Sequence, residues 1–116
     1  MITEEEAKIL ELREKFFQIF LDQFSKISIA KECTDVFIQA FENQTDKKKS
    51  FNEKIELSIF TAMLRGGVLS GELPYKGNLQ EPDTLEIEDD DITKFLRRKY
   101  YANILKQATQ DSHKGA

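Results

Sequence analysis

Between Ile9 and Ile27 the chain reads ILELREKFFQIFLDQFSKI, and its apolar residues fall at helical spacing. Ile9, Phe16, Phe20, Phe24 and Ile27 form one line, and Leu10, Phe17 and Leu21 form a second line beside it, as a period near 3.6 requires. Leu12 and Ile19 widen the stripe on its other flank. Around Phe16 to Leu21 more than half the circumference is apolar, wider than a helix resting on one surface needs. The expectation is a central helix that touches two or more neighbours or a second copy of itself.

The start of that helix is written in local chemistry. Thr3 with Glu6 three residues on is a capping box, and Glu4, Glu5 and Glu6 sit at the positive end of the helix dipole. The spacing predicts a helix from Glu4 to about Lys26. Fully burying its two main apolar lines yields roughly 12–24 kcal/mol, and ordering its backbone costs a similar or larger amount. Such a helix exists only because something packs on it.

Three more helices follow in the same reading. Ser28 is expected to cap a helix from Ile29 to Asn43 with Cys33, Val36, Phe37, Ala40 and Phe41 on its inner face, pairing with the first as an antiparallel hairpin. The segment NQTDKKKS, residues 43–50, holds no apolar residue and reads as a solvated loop. Ser50 and Glu53 repeat the capping box and start a third helix, with Ile55, Ile59, Ala62 and Met63 inward and Phe60 beside them. Gly66-Gly67 is expected to stop it, leaving Arg65 on the last turn where positive charge suits the dipole. Asp89, Asp90 and Asp91 lead a fourth helix, with Asp91 as its expected cap, running to about Gln110 on the four-residue step Ile92, Leu96, Tyr100, Ile104, Ala108. That step drifts about 40° each time, so the stripe winds and its C-terminal half is expected to meet a different neighbour.

The stretch from Gly66 to Asp91 holds four of the five glycines and both prolines. Residues 84–88 alternate polar and apolar and read as a short strand, with Val68 and Leu69 as its pairing partner. More than twenty residues without helical pattern is long for a small domain and marks a functional or partly ordered loop. The fold expected is therefore all-α: about four helices in a small bundle over residues 1–110, an irregular insertion (with room for a short β-hairpin) between helices 3 and 4, and a flexible tail over 111–116.

Composition narrows the function. At 116 residues, 40% apolar and 33% charged, the chain supports one core, and its net charge of −4 gives no prior for DNA binding. Met-Ile-Thr-Glu-Glu-Glu is the opposite of a basic, then apolar leader, and no apolar run reaches the length of a membrane span. A single cysteine, Cys33, forms no intrachain disulfide. A cytoplasmic setting without membrane attachment is the expectation.

Catalytic patterns are missing. His113 is the only histidine and sits in the C-terminal tail, so neither a Ser-His-Asp arrangement nor an H-E-x-x-H zinc site is expected. The glycines match no phosphate loop, and Cys33 on an apolar face reads as a small buried hydrophobe. No metal or cofactor is expected. The acidic run from Glu81 to Asp91 lacks the order of a calcium loop; it reads as a solvated linker ending in a helix cap, with a weak cation site or a patch for a basic partner as the functional alternatives. A winged-helix reading fails on the eight-residue loop before helix 3, on the glutamates Glu53 and Glu56 of that helix, and on an acidic wing.

A carboxylate-based enzyme would need a pair of acids that nothing in the sequence singles out, which leaves two functions in front, neither enzymatic. The favoured one is a protein-interaction module (adaptor, inhibitor or assembly factor) binding another protein, a homodimer included, through the 66–91 loop with anchors Leu69, Leu73, Tyr75 and Leu79 and through helical apolar surface. The alternative is a nucleic-acid-binding accessory protein using the basic face of helix 4, Lys94, Arg97 and Arg98, with Lys47 to Lys49 as a second basic spot. The plainer reading of those cations is a solvated face that neutralises the acidic run beside it.

Overall fold

A computed structural model of the chain describes residues 2–45, 47–73 and 89–114, the side chains of 89, 90 and 111–114 excepted. Within them the fold is all-α. Five helices follow one another: α1 Glu4–Phe24, α2 Ile27–Glu42, α3 Phe51–Leu69, α4 Asp89–Lys99 and α5 Tyr101–Lys114. No strand occurs among the described residues.

The two capping boxes act as their sequence dictates. The Thr3 hydroxyl accepts from the Glu6 amide at 3.1 Å and the Ser50 hydroxyl from the Glu53 amide at 3.2 Å, each with the cap residue in extended backbone. The α1–α2 junction is tighter than expected. Ser25 takes a left-handed conformation (φ 58°) and its amide closes on the Leu21 carbonyl. The chain then re-enters helix at Ile27, with Lys26 at the cap position and no side-chain cap. Ser28 is thus inside α2 rather than ahead of it. The buried face of α2 is also turned: Ile29, Ala30, Cys33, Thr34, Phe37 and Ile38 are buried, while Val36 and Ala40 are only partly covered.

The centre of the molecule is α3, not α1. It packs against α2, α4 and α5, whereas α1 packs chiefly on α2. Every residue from Ala62 to Gly67 is buried. On α1 complete burial falls to Phe16 and Phe20, with Ile19 nearly so. Rings from α1 and α2 meet at the heart of that packing: Phe16 stacks on Phe37 with centroids 3.8 Å apart, and Phe20 meets Phe37 edge-on.

Gly66 and Gly67 do not stop α3; the helix runs on to Leu69 and ends at Ser70, before Gly71 with its φ of 81°. The pair is there for close approach. A Cβ on Gly66 would collide with the Phe24 ring, and one on Gly67 would lie 2.6 Å from Leu73 Cδ1 and 3.0 Å from the Phe95 ring. Val68 and Leu69, expected as half of a hairpin, are helical for the same reason. Arg65 consequently sits within a buried stretch of helix rather than on an exposed last turn.

Substitution separates the two glycines. Alanine is favoured over glycine in a helix by about 1 kcal/mol, but Leu73 and Phe95 are both buried and have nowhere to move. Gly67→Ala should therefore destabilise by about 1–2 kcal/mol net, since overpacking costs about 1–3 kcal/mol. At Gly66 the part-exposed Phe24 can swing aside, so Gly66→Ala should cost less. Urea melts of both variants check the order; equal or reversed effects would remove this account of the glycine pair.

The expected fourth helix is two. Tyr100 breaks the helix, although the Tyr100 amide still bonds to the Leu96 carbonyl and the Ile104 amide to the Tyr100 carbonyl. Its ring packs edge-on against Phe24, and Tyr101 does so against Phe60. The winding stripe thus feeds two contacts: α4 docks on α3 near Gly67, while α5 continues along α3 and reaches α1, where the Lys15 ammonium donates to the Ala108 carbonyl at 2.9 Å. The helix extends past Gln110 to Lys114.

Candidate functional site

One feature of α1 stands apart from this packing. Its Phe16–Phe20 line is buried, but the neighbouring line of Leu10, Phe17 and Leu21 is not: Leu10 is 50% exposed, and Phe17 and Leu21 are only partly covered. Among the described residues no helix covers that second line fully, though Phe17 and Leu21 rest partly against the core. It borders a groove of about 770 Å³ between α1 and α2, lined by Leu10, Arg13, Glu14 and Phe17 on one side and Lys31, Thr34 and Asp35 on the other. Arg13 and Asp35 bridge the two helices at 3.5 Å, both well exposed. Apolar side chains thus line the floor and charges of both signs the rim, the arrangement of a protein-docking surface in miniature.

A smaller slot of about 440 Å³ lies between α1, α3 and α5, with Leu12, Phe16, Phe51 and Ile55 along it and Lys8 and Glu11 at its edge. The Phe51 ring at its mouth is about half exposed and leans edge-on against Phe41. The α2–α3 loop is tied down beside α3 by Gln44, whose side-chain amide donates to the Lys54 carbonyl and the Ser58 hydroxyl.

The residues singled out from sequence are scattered. Leu69 is the last residue of α3 and partly buried, and Leu73 is only 7% exposed, seated against Gly67. Both therefore anchor the chain to itself as it leaves α3. Tyr75 and Leu79, like the strand expected over 84–88, lie outside the described residues. Lys94, Arg97 and Arg98 are all exposed on α4. The cations near them are partly answered within the chain: Lys99 bonds to Glu72 at 2.7 Å, which raises the Lys99 pKa. Burial, then a hydrogen bond to Glu56, raises the Tyr101 pKa, against the opposing influence of Arg97 close by.

Two further polar groups bear on chemistry. Cys33 is completely buried; desolvation first, then the Glu32 charge, pushes its thiol up to about 12, with Arg65 pulling the other way. A thiol so placed is neither a nucleophile nor a ready metal ligand. Arg65 is buried and holds Glu32 at 2.9 Å through one terminal nitrogen, while its Nε and Nη1 have no hydrogen-bond partner. No group of three or more potential ligands is placed to hold a metal ion among the described residues, and no helix there is long and apolar enough to cross a membrane.

Sequence reasoning located the Leu10–Phe17–Leu21 line within a stripe meant for two or more neighbours or a second copy, and named none of its residues as a site. The available signal was the width of the stripe, which exceeds what one neighbour can cover. No family model, no curated protein and no solved structure matches this chain.

Proposed function

We propose that this chain is a small, non-enzymatic protein-interaction module that binds another protein through the α1–α2 groove. The carrying observation is the half-exposed Leu10 beside the part-buried Phe17 along a groove of about 770 Å³. An exposed leucine and a part-buried phenylalanine at helical spacing, flanked by charge, suit capture of an amphipathic helix. This moves the binding surface from the 66–91 loop, whose Leu73 is used internally, to the helical apolar surface.

The test sets the wild-type chain beside the Leu10→Lys/Phe17→Asp variant. Leu10 is half exposed whereas Phe17 rests partly on the core, so helical circular dichroism is checked on the variant and Leu10→Lys alone serves as the milder control, with about a tenfold loss expected. Wild type should associate, with itself or with another protein in affinity capture, and the variant should lose that association about a hundredfold, the loss of two interface anchors at about 1–2 kcal/mol each. A wild type that binds nothing, or a variant that keeps every association, overturns the reading.

A further inference from the structure

We infer that the occupant of the α1–α2 groove is a second copy of this chain, seated with its α1 parallel to the first about a twofold axis; the inference rests on the groove being a binding surface, as proposed above. The charge pattern of α1 carries it. At about 100° per residue, Arg13 projects about 60° to one side of the Leu10–Phe17–Leu21 line and Glu14 about 40° to the other. Both line the groove with Leu10 and Phe17.

A twofold axis parallel to α1 sets each flank of one helix against the opposite flank of its partner at the same height. Arg13 then meets Glu14 of the second copy, and Glu14 meets Arg13, while Leu10, Phe17 and Leu21 meet their own equivalents along the seam. The antiparallel twofold sets like flanks together, so Arg13 could not meet Glu14 of the second copy and the charge pattern would go unused. The side of α1 that carries Arg13 is also the side of α2, since Arg13 reaches Asp35 at 3.5 Å. Lys31 and Asp35 both line that flank from α2; Asp35 is engaged by Arg13, and Lys31 keeps the balance positive where Glu14 of the second copy arrives.

The spacing along the line agrees: Leu10, Phe17 and Leu21 step by seven and four, which keeps the three within about 20° of one direction along the helix. The stretch from Leu10 to Leu21 is only about 16 Å long, so the contact belongs to the small interface class and the dimer should dissociate in the micromolar range. The width of the α1 stripe has the same explanation: the Phe16 line is buried within the chain, Phe17 and Leu21 partly so, and what stays exposed, Leu10 above all, is covered by the second copy.

The experiment uses the full chain and two charge reversals at exposed groove positions, R13E and E14R, followed by sedimentation velocity from about 1 to 500 µM, a range bracketing micromolar dissociation. Wild type should shift from monomer to dimer across the range. Each reversal alone turns two attractive pairs repulsive and should weaken dimerisation about 10–100-fold. An equimolar mixture of the two variants restores opposite charges at both pairs and should form a heterodimer about as tight as wild type. The doubly reversed R13E/E14R chain should dimerise alone. Unchanged thermal midpoints show that the variants are folded.

Variants that dimerise like wild type, or a mixture that fails to associate, overturn the parallel second-copy arrangement. A wild type that stays monomeric while its groove captures a different protein, lost with Leu10→Lys/Phe17→Asp, overturns the second copy alone. A wild type that is monomeric and captures nothing overturns the binding surface as well.

Discussion

Phe37→Ala should lower the unfolding free energy by about 3–5 kcal/mol, a third or more of what a domain of this size commands. Phe37 is fully buried and its ring lies 3.8 Å, centroid to centroid, from that of Phe16, with Phe20 edge-on at 6.3 Å and Phe41 stacked at 6.2 Å. Removing the ring deletes its transfer free energy, leaves a void walled by three other aromatic rings, and forfeits stacking worth about 0.5–1.5 kcal/mol per pair. Those walls belong to α1 and α2, whose own backbones are held in place by this packing, so collapse into the void is limited. Leu10→Ala, at a half-exposed position, should cost under about 1 kcal/mol in the monomer. Equilibrium urea unfolding followed by circular dichroism measures both. A loss below about 1.5 kcal/mol for Phe37→Ala would mean that the ring stack does not organise the α1–α2 core.

The second large effect is an asymmetry between two partners. Glu32→Ala should destabilise by about 2–3 kcal/mol, whereas Arg65→Met should be neutral or stabilising. The Arg65 side chain is 8% exposed and that of Glu32 41%, with 2.9 Å between Arg65 Nη2 and Glu32 Oε1. Two of the three guanidinium nitrogens, Nε and Nη1, have no partner. A buried cation in this position depends on its single carboxylate; without it the desolvation cost stands uncompensated. A methionine fills the same space, carries no charge and adapts to irregular packing. The exposure of Glu32 keeps the first effect below the upper end of what a wholly buried pair shows. In the Glu32→Ala background, Arg65→Met should recover most of the loss. If Arg65→Met alone proved as harmful as Glu32→Ala, the pair would be a net source of stability and this account would be wrong.

Arg65 also shows where reading along the chain fails. Beside Gly66-Gly67 it looks like the basic last turn of a helix, because glycine pairs end helices when nothing packs over them. Here Phe24 from α1, together with Leu73 and Phe95, packs against the missing side chains, and the helix continues. The same contacts take Leu73 out of the set of exposed loop anchors. A leucine beside a proline in a glycine-rich stretch carries no local sign of whether it faces a partner or its own chain. The position of Lys94, Arg97 and Arg98 was legible, since a basic cluster opposite an apolar stripe on a helix must face outward.

What this sequence determines by itself is whatever closes within about one helical turn. Thr3 with Glu6 and Ser50 with Glu53 start their helices at the expected residues, and the all-α class follows from apolar periodicity that survives any change of neighbour. What the tertiary structure alone decided is which helix is central, how far α3 runs, where the second line of α1 is left uncovered, and what Arg65 touches. Those outcomes depend on groups far apart in the chain, Arg65 with Glu32 across 33 residues and Lys15 with Ala108 across 93. A hydrogen bond within one turn costs little chain entropy and forms almost wherever its residues occur. A contact across the fold exists only if every helix between its ends has already found its place.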